Sequence, residues 1–299
     1  VSILLTSSTR AVVQGGTGRI GARQTEWMLK AGTRLVGAVT PGKGGTEIHG
    51  LPVFDSVREG VERVRANASV SFVPGPCARA AAMEAVEAGL GLLVVIAEHV
   101  PIYDALEIRE ACRDSGTVMI GPNSPGIISP GYGKLGIMPA DVFSPGRFGV
   151  LSRSGTLSYE VAAILQAAGI GITTMVGVGG DPIIGTDMAE FVPWFAADPD
   201  TEGLVVVGEI GGTQEERLAE ALGGSALPTF AYMAGRTAPP GRRVGHAGAL
   251  MSRKQGSVAQ KTEALERAGV RVALSPRQLP ALVLECPALR GKTPRCGGR

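Results

Sequence analysis

Short runs rich in Val, Ile and Leu alternate along the chain with longer stretches whose apolar residues recur at helical spacing. In the first half these runs are AVVQG at 11–15, RLVGAV at 34–39, ASVSFV at 68–73, LLVVIA at 92–97 and TVMIG at 117–121. Between them lie amphipathic stretches such as ARQTEWMLKAG and CARAAAMEAVEAG. Strand followed by helix, repeated, predicts a parallel sheet with helices on both faces. Residues 121–146 break the alternation with Gly, Pro and Ser and read as a long functional loop and linker. The pattern then restarts with FGVLS at 148–152, ITTMVGVG at 172–179, GLVVVGEIG at 203–211 and LPTFAYMAG at 227–235. Leu157, Val161, Ile164 and Leu165 form one stripe of a helix over 156–168. A last unit, KTEALERAGVRVALSP, supplies another helix and a short strand. The division expected is a first α/β domain over 1–125, a Gly/Pro-rich linker over 126–146, a second α/β domain over 147–284 and an Arg- and Gly-rich tail over 285–299 that frays.

Composition narrows the class. A chain of 299 residues with 44% hydrophobic positions can bury a sizeable core, and at 4% aromatics that core is aliphatic. The 44 glycines follow no collagen period and cluster where strands end, which suggests tight turns and close backbone approach to ligands. A net charge of +2 gives no argument for nucleic acid, and most charges alternate in sign as a solvated surface would. Cys77, Cys112, Cys286 and Cys296 lack CxxC spacing, which argues against a structural zinc or a disulfide scaffold and fits a reducing compartment. No Hx3H or HExxH pattern occurs, so no metal site is expected. Apolar runs such as LGLLVVIA at 90–97 are too short to span a bilayer, and no secretory pattern opens the sequence.

Candidate chemistry falls at strand ends. VVQGGTGRIGARQ holds Gly16, Gly18 and Gly21 in a GxGxxG that follows a strand and opens a helix. Such glycines let backbone approach a phosphate at a helix N-terminus; the plain alternative is a tight turn that binds nothing. A nicotinamide cofactor calls for an acidic residue near the end of the second strand. Here that strand runs into VTPGKGGTEIHG, with Lys43 among glycines. A lysine there favours a further phosphate, as in coenzyme A, unless Lys43 is simply a solvated loop residue. In the second half, FGVLSRSGTLSYE leads a strand into a helix through Ser154 and Gly155. Ser154 is either a phosphate ligand or an ordinary N-cap. Glu209 ends an apolar strand, where a doubly wound sheet binds ligands, or else faces water. His246, in RRVGHAGAL, is uncrowded between Gly245, Ala247 and Gly248. It is either a polar surface residue or a nucleophile whose Nδ1–H a carboxylate such as Glu209 would accept, leaving Nε2 to react. His49 and His99 read as accessory.

Taken in order, QGGTGRIG, VTPGKGGTEIHGLPVF, GPNSPG, SRSGTLSYE, GVGGDPI, GEIGG and TAPPGRRVGHAGAL resemble the α subunit of succinyl-CoA synthetase and its relatives, including malate–CoA ligase. The resemblance implies a Rossmann-like CoA-binding domain followed by a flavodoxin-like doubly wound ligase domain. It implies a carboxylate–CoA ligase that works with a β subunit carrying an ATP-grasp domain, through which ATP or GTP with Mg2+ would phosphorylate His246. The phosphoryl group would pass to a small dicarboxylic acid, and CoA would displace phosphate from the acyl phosphate. By resemblance Thr17, Gly18, Arg19, Ile20 and Lys43 bind CoA, with Ile96, Ala97 and Glu98 nearby. Ser154 and Gly155 hold the phosphoryl group, Glu209 orients His246, and Tyr159 sits at the subunit boundary by the substrate. The motif GPNSPG places Asn123 and Ser124 by the acyl group. Two positions depart from the family: Ser124 stands where Cys is usual, and His99 where Gly is usual.

Other readings stay open at this level. LGIMP at 135–139 leans toward malate–CoA ligase. A non-catalytic CoA-sensing module would bind CoA without any phosphohistidine. An NAD-dependent oxidoreductase is disfavoured by the missing acidic residue. The cytoplasm is the expected compartment, or a mitochondrial matrix after processing; no nucleic acid or membrane partner is expected.

Overall fold

The structure is a computed structural model and describes residues 2–236, 248 and 256–289. The chain divides into two compact units. One is Leu4–Met138 with Ile183–Thr186; the other is Val1–Ile3, Pro139–Pro182 and Asp187–Arg299. His246 and residues 290–299 of the tail lie outside the described residues.

The N-terminal unit runs β1 (Ala11–Gln14), α1 (Arg19–Lys30), β2 (Leu35–Val39), β3 (Glu47–Ile48), β4 (Leu51–Phe54), α2 (Val57–Val64), β5 (Ala68–Ser71), α3 (Ala78–Glu87), β6 (Leu92–Val95), α4 (Ile102–Ser115), β7 (Val118–Ile120), β8 (Gly126–Ser129) and β9 (Gly133–Gly136). Strands β1, β5 and β6 are buried at every position, as parallel strands covered on both faces must be. Val12 of β1 and Leu93 and Val95 of β6 join Phe54, Val57, Ala82, Ile108 and Met119 in one core. The sheet order is β3-β4-β2-β1-β5-β6-β7, parallel except for the β3–β4 hairpin. Successive crossovers leave β1 in opposite directions, toward β2 and toward β5, which is the Rossmann order and opens a crevice at the carboxyl end of β1.

The C-terminal unit runs β10 (Pro145–Ser152), α5 (Gly155–Ala167), β11 (Ile172–Gly177), α6 (Met188–Ala197), β12 (Gly203–Glu209), α7 (Gln214–Leu222), β13 (Thr229–Ala234), α8 (Val258–Arg267), β14 (Arg271–Ala273) and α9 (Leu279–Leu284). Asp187 with Glu190 and Ser257 with Gln260 form capping boxes that fix the starts of α6 and α8. These parallel strands lie in the order β14-β13-β12-β10-β11, the flavodoxin-like arrangement with its switch point at β10.

The stretch 126–146 is not an unstructured connection. It holds the antiparallel β8–β9 pair, a 3-10 turn at Ala140–Val142 and the start of β10. Glycines make the hairpin: Gly126 and Gly136 have positive φ, and a Cβ on either would meet backbone oxygen of the facing strand at 2.0 and 2.2 Å. Residues 183–186 return to the first unit, where Gly185 N donates to Gly121 O (2.8 Å) and Thr186 N to Met119 O (2.8 Å).

Candidate functional site

Parallel register aligns the strand ends of the first sheet. Gln14 stands opposite Val39 and Ser71, and Ser71 opposite Val95. The loops leaving β1, β2, β5, β6 and β7 therefore share one edge. That edge collects Thr17–Ile20, Lys43, Ile96–Glu98 and Asn123–Ser124, sequence-distant residues brought together by topology.

The three glycines of the loop differ in purpose. A Cβ on Gly16 would stand 2.7 Å from Ala38 Cβ, and one on Gly21 would stand 2.2 Å from Gly15 O, so the βα turn closes only with glycine there. A Cβ on Gly18 would meet nothing nearer than Gly15 O at 3.2 Å. Internal packing demands less of Gly18, and its lack of a side chain bares the helix start. Gly18 is the N-cap of α1 and offers no side-chain cap, so the first amides of the helix face outward without acceptors. Arg19 and Ile20 are exposed in that first turn, Ile20 at 61%. Thr17 Oγ1 donates to Thr40 Oγ1 (3.1 Å), tying the glycine loop to the end of β2. Lys43 is exposed in the turn that follows: its amide donates to Thr40 O (3.1 Å) and its carbonyl accepts from Thr46 Oγ1 (2.7 Å).

At the far strands, Ile96 N donates to Ser71 O (3.2 Å) and Asn123 N to Ala97 O (2.8 Å). Glu98 and His99 are exposed, with His99 at φ 60° and its Nε2 3.9 Å from Glu98 Oε2. Positive φ at His99 accounts for a position that suits glycine. Asn123 also has positive φ (52°) after the cis Gly121–Pro122 bond. Ser124 is buried, and its Oγ accepts from Gly126 N (2.9 Å), a local turn bond.

In the second sheet, Ser152 pairs with Gly177 on β11 and Val207 on β12, so these strands too end together. Ser154 caps α5, its Oγ accepting from Leu157 N (3.4 Å), while its own amide donates to Ser152 Oγ (3.1 Å). The N-cap reading of Ser154 is thus realised, and the helix amides without intrahelical acceptors begin at Gly155. Tyr159, one turn on, is half-buried with its ring edge on Phe143 (6.5 Å), and burial pushes its phenol up to about 12.

Glu209 does not face water. It is 7% exposed, and its Oε1 lies 3.3 Å from Nη2 of Arg153. Arg153 is itself buried, and its Nη1 donates to Gly211 O (2.7 Å), to Glu209 O (3.3 Å) and to Glu215 Oε1 (3.2 Å). Glu215 also accepts from the Glu209 amide (3.1 Å) and pairs with Lys261, both side chains fully enclosed. Burial pushes the Glu215 carboxyl up, but the charges of Arg153 and Lys261 outweigh it and hold the group below its ordinary value. Arg153, Glu215 and Lys261 are exceptions to the expectation that most charges form a solvated surface. Their positions in the chain, 46 residues apart for Glu215 and Lys261, carry no local sign of the pairing.

The described neighbours of the His246 segment meet at this edge. Gly248 N donates to Gly180 O (2.9 Å), and a Cβ on Gly248 would stand 3.3 Å from Arg153 Nη2. Gly256 O accepts from Gly211 N (2.8 Å).

Comparison with known proteins agrees with both sheets. A CoA binding domain matches residues 6–99 and a CoA-ligase domain matches residues 151–271. The succinate–CoA ligase (ADP-forming) subunit alpha 2 of Archaeoglobus fulgidus is 50% identical over 285 residues, covering 95% of this chain and 99% of that one. The chain belongs to the succinate–CoA ligase α-subunit family. The family extends to the ADP-forming sulfoacetate–CoA ligase subunit SauD of Bilophila wadsworthia, 44% identical over 95% of this chain and 98% of that one. Among solved structures, ATP citrate lyase of Methanosaeta concilii in complex with (3S)-citryl-CoA shares the fold with a TM-score of 0.85 at 24% identity; the match covers 94% of this chain and 50% of that longer one. The Rossmann-like and flavodoxin-like expectations and the CoA-binding character of the first domain are borne out. Among the described residues no helix is long and apolar enough to cross a membrane.

Proposed function

We propose that this chain is the CoA-binding, phosphoryl-carrying α subunit of a nucleotide-dependent ligase that makes the CoA thioester of succinate or a similar small dicarboxylic acid. In the first step His246 takes the γ-phosphoryl group of ATP or GTP: an N–P bond forms, the bond from phosphorus to the bridging oxygen breaks, and the nucleoside diphosphate leaves. The nucleotide and its Mg2+ belong to a partner β subunit with an ATP-grasp domain. A substrate carboxylate oxygen then attacks phosphorus, the N–P bond breaks and an acyl phosphate results. The CoA thiolate attacks the acyl carbon, phosphate departs and the thioester is formed. Phosphorylation supplies the leaving group that a free carboxylate lacks, and holding it on histidine separates nucleotide chemistry from acyl chemistry.

The observation that carries this reading is the buried carboxylate of Glu209 at the carboxyl edge of the second sheet, whose ion-pair partner Arg153 and nearby residue Gly211 meet Gly248 and Gly256, which follow His246 in the chain. In this proposal Glu209 accepts the Nδ1–H of His246 and directs Nε2 to phosphorus. The amides opening α5 at Gly155 and the capping turn at Ser154 receive the phosphoryl oxygens. On the first sheet, the bare start of α1 takes the CoA pyrophosphate, and Lys43 a further phosphate. Thr17, Arg19 and Ile20 flank it, Ile96, Ala97 and Glu98 line its far side, Asn123 and Ser124 stand toward the acyl end, and Tyr159 toward the substrate and partner. The domain bounds at 125 and 147, and a cytoplasmic location, are part of the same proposal.

The test joins the chain to its β partner and supplies γ-labelled ATP. The expected product is an acid-labile, base-stable phosphoprotein. Label that survives His246→Asn would overturn the nucleophile, and CoA binding with no label in the complex would favour a CoA-sensing module. A panel of succinate, malate and sulfoacetate with CoA then fixes the acid.

A further inference from the structure

Four enclosed charges of the C-terminal unit lie as a chain of contacts: Lys261, Glu215, Arg153, Glu209. Two cations alternate with two carboxylates, so the set is neutral within the protein interior. It is not symmetric. Lys261 and Glu215 are both 0% exposed and make the closed end of the set. Glu209 makes the open end, at the strand terminus beside Gly211 and Gly212. Arg153 joins the two ends and is the only one of the four on the loop between β10 and α5, next to the capping turn at Ser154.

One guanidinium meets three acceptor types here. Nη1 reaches the Glu215 carboxylate and the carbonyls of Glu209 and Gly211, while Nη2 faces the Glu209 carboxylate. Arg153 therefore sets both the side chain of Glu209 and the peptide that follows it. The same turn meets Gly256, whose carbonyl accepts from the Gly211 amide, and a Cβ on Gly248 would stand 3.3 Å from Nη2 itself. Only the planar fork of arginine supplies donors in these directions together; an ammonium presents one point charge.

We propose that Arg153 is a positioning residue for phosphoryl transfer: seated by Glu215 and Lys261, it fixes the carboxylate of Glu209 and the Glu209–Gly211 turn in the geometry that orients His246. This rests on the reading of His246 as phosphoryl carrier and Glu209 as its acceptor. The seat reaches the site through Arg153 and through the Glu209 amide, which donates to Glu215 Oε1 (3.1 Å). A displacement of about 1 Å at a reacting group is worth about 10²-fold in rate. Arg153 acts on phosphoryl transfer alone, so the rate of histidine phosphorylation falls while the affinity for CoA, bound on the other sheet, stays.

The experiment measures single-turnover phosphorylation of the α–β complex in wild type, Glu209→Gln, Arg153→Met and Arg153→Lys. CoA affinity and near-ultraviolet circular dichroism accompany each. The chain's three histidines allow the His246 ring to be followed by 15N NMR, which reads its tautomer. The expected result is a loss of about 10²-fold in phosphorylation rate for Arg153→Met, with unchanged CoA affinity and a shifted tautomer equilibrium. Arg153→Lys, which keeps the charge and loses the fork, falls between. If Arg153→Met does not fold, Arg153→Lys carries the test by the same readouts. A wild-type rate and tautomer in Arg153→Lys and Arg153→Met, with Glu209→Gln impaired, would overturn the role of Arg153 and leave the functional reading standing. No effect of Glu209→Gln would overturn the functional reading of Glu209 itself.

Discussion

Lys261→Met tests how the buried charges hold the second sheet together. The ammonium is wholly enclosed, lies against Glu215 and stands 3.2 Å from Glu216, itself 28% exposed. Methionine fills nearly the same volume, so the perturbation is the charge and not a cavity. It leaves Glu215 enclosed with Arg153 alone to balance it, while Arg153 also faces Glu209. Removing one partner of a buried pair costs about 3–5 kcal/mol. For a unit of this size, at about 2–4 °C per kcal/mol, the melting temperature falls by about 6–20 °C near neutral pH. The pH dependence follows from Glu215, whose carboxyl is held below its ordinary value by Arg153 and Lys261 against the effect of burial. Such a group stabilises the fold above its unfolded pKa, and that contribution is lost as pH falls through the lower, folded pKa. Without Lys261 the folded pKa of Glu215 rises, so less of this stability exists to lose. The gap between wild type and Lys261→Met is therefore widest near neutral pH and narrows as the acid side is approached. Denaturant unfolding across pH, followed by circular dichroism, reads this gap. The double variant Lys261→Met with Glu215→Gln restores charge balance and recovers much of the loss at neutral pH. A gap under about 1 kcal/mol, or one that pH leaves unchanged, refutes the assignment of these charges as a buried, mutually dependent set.

The glycine loop separates packing from binding. Gly21→Ala drives a Cβ into Gly15 O and destabilises the first unit by about 1–3 kcal/mol, with loss of CoA binding by calorimetry; a stable variant that binds CoA normally would show that the turn can open there. Gly18→Ala, with its nearest contact at 3.2 Å, keeps the melting temperature but weakens CoA at least about tenfold, or 1.4 kcal/mol; unchanged affinity would remove the α1 start from the CoA site. Cys77 is exposed, whereas burial pushes the Cys112 thiol up to about 11. Iodoacetamide at pH 8 is expected to modify Cys77 in the native protein and spare Cys112 until denaturant is added, as read by peptide mass spectrometry; equal rates would contradict the burial of α4.

Much of the architecture was legible because it rests on local, repeated signals. The Val-rich runs at 11–15, 68–73 and 92–97 are buried strands, and the helices between them follow from amphipathic spacing. The βα turn at Gly16–Gly21 was readable for a similar reason, since a short sequence must itself satisfy the close approach of Gly21 to Gly15. The β8–β9 hairpin was not, because its Gly- and Pro-rich sequence looks like a loop until strand pairing supplies its hydrogen bonds. Nor was the turn bond from the Gly126 amide to the Ser124 hydroxyl, which depends on the backbone after Asn123.

The sequence by itself determined the alternation of strands and helices, the CoA-type glycine loop and the family of the chain, since each lies in contiguous residues. Which strand ends share an edge was decided only by the sheet orders, which set the loop of Lys43 on the same edge as the loop of Gly18 and the end of β12 at Glu209 beside the end of β10 at Ser152. Tertiary packing alone made Arg153, Glu215 and Lys261 a buried set. Helical charges at 215 and 261 read as solvated until α7 and α8 pack together, and only the exclusion of water turns three ordinary ions into one dependent structure.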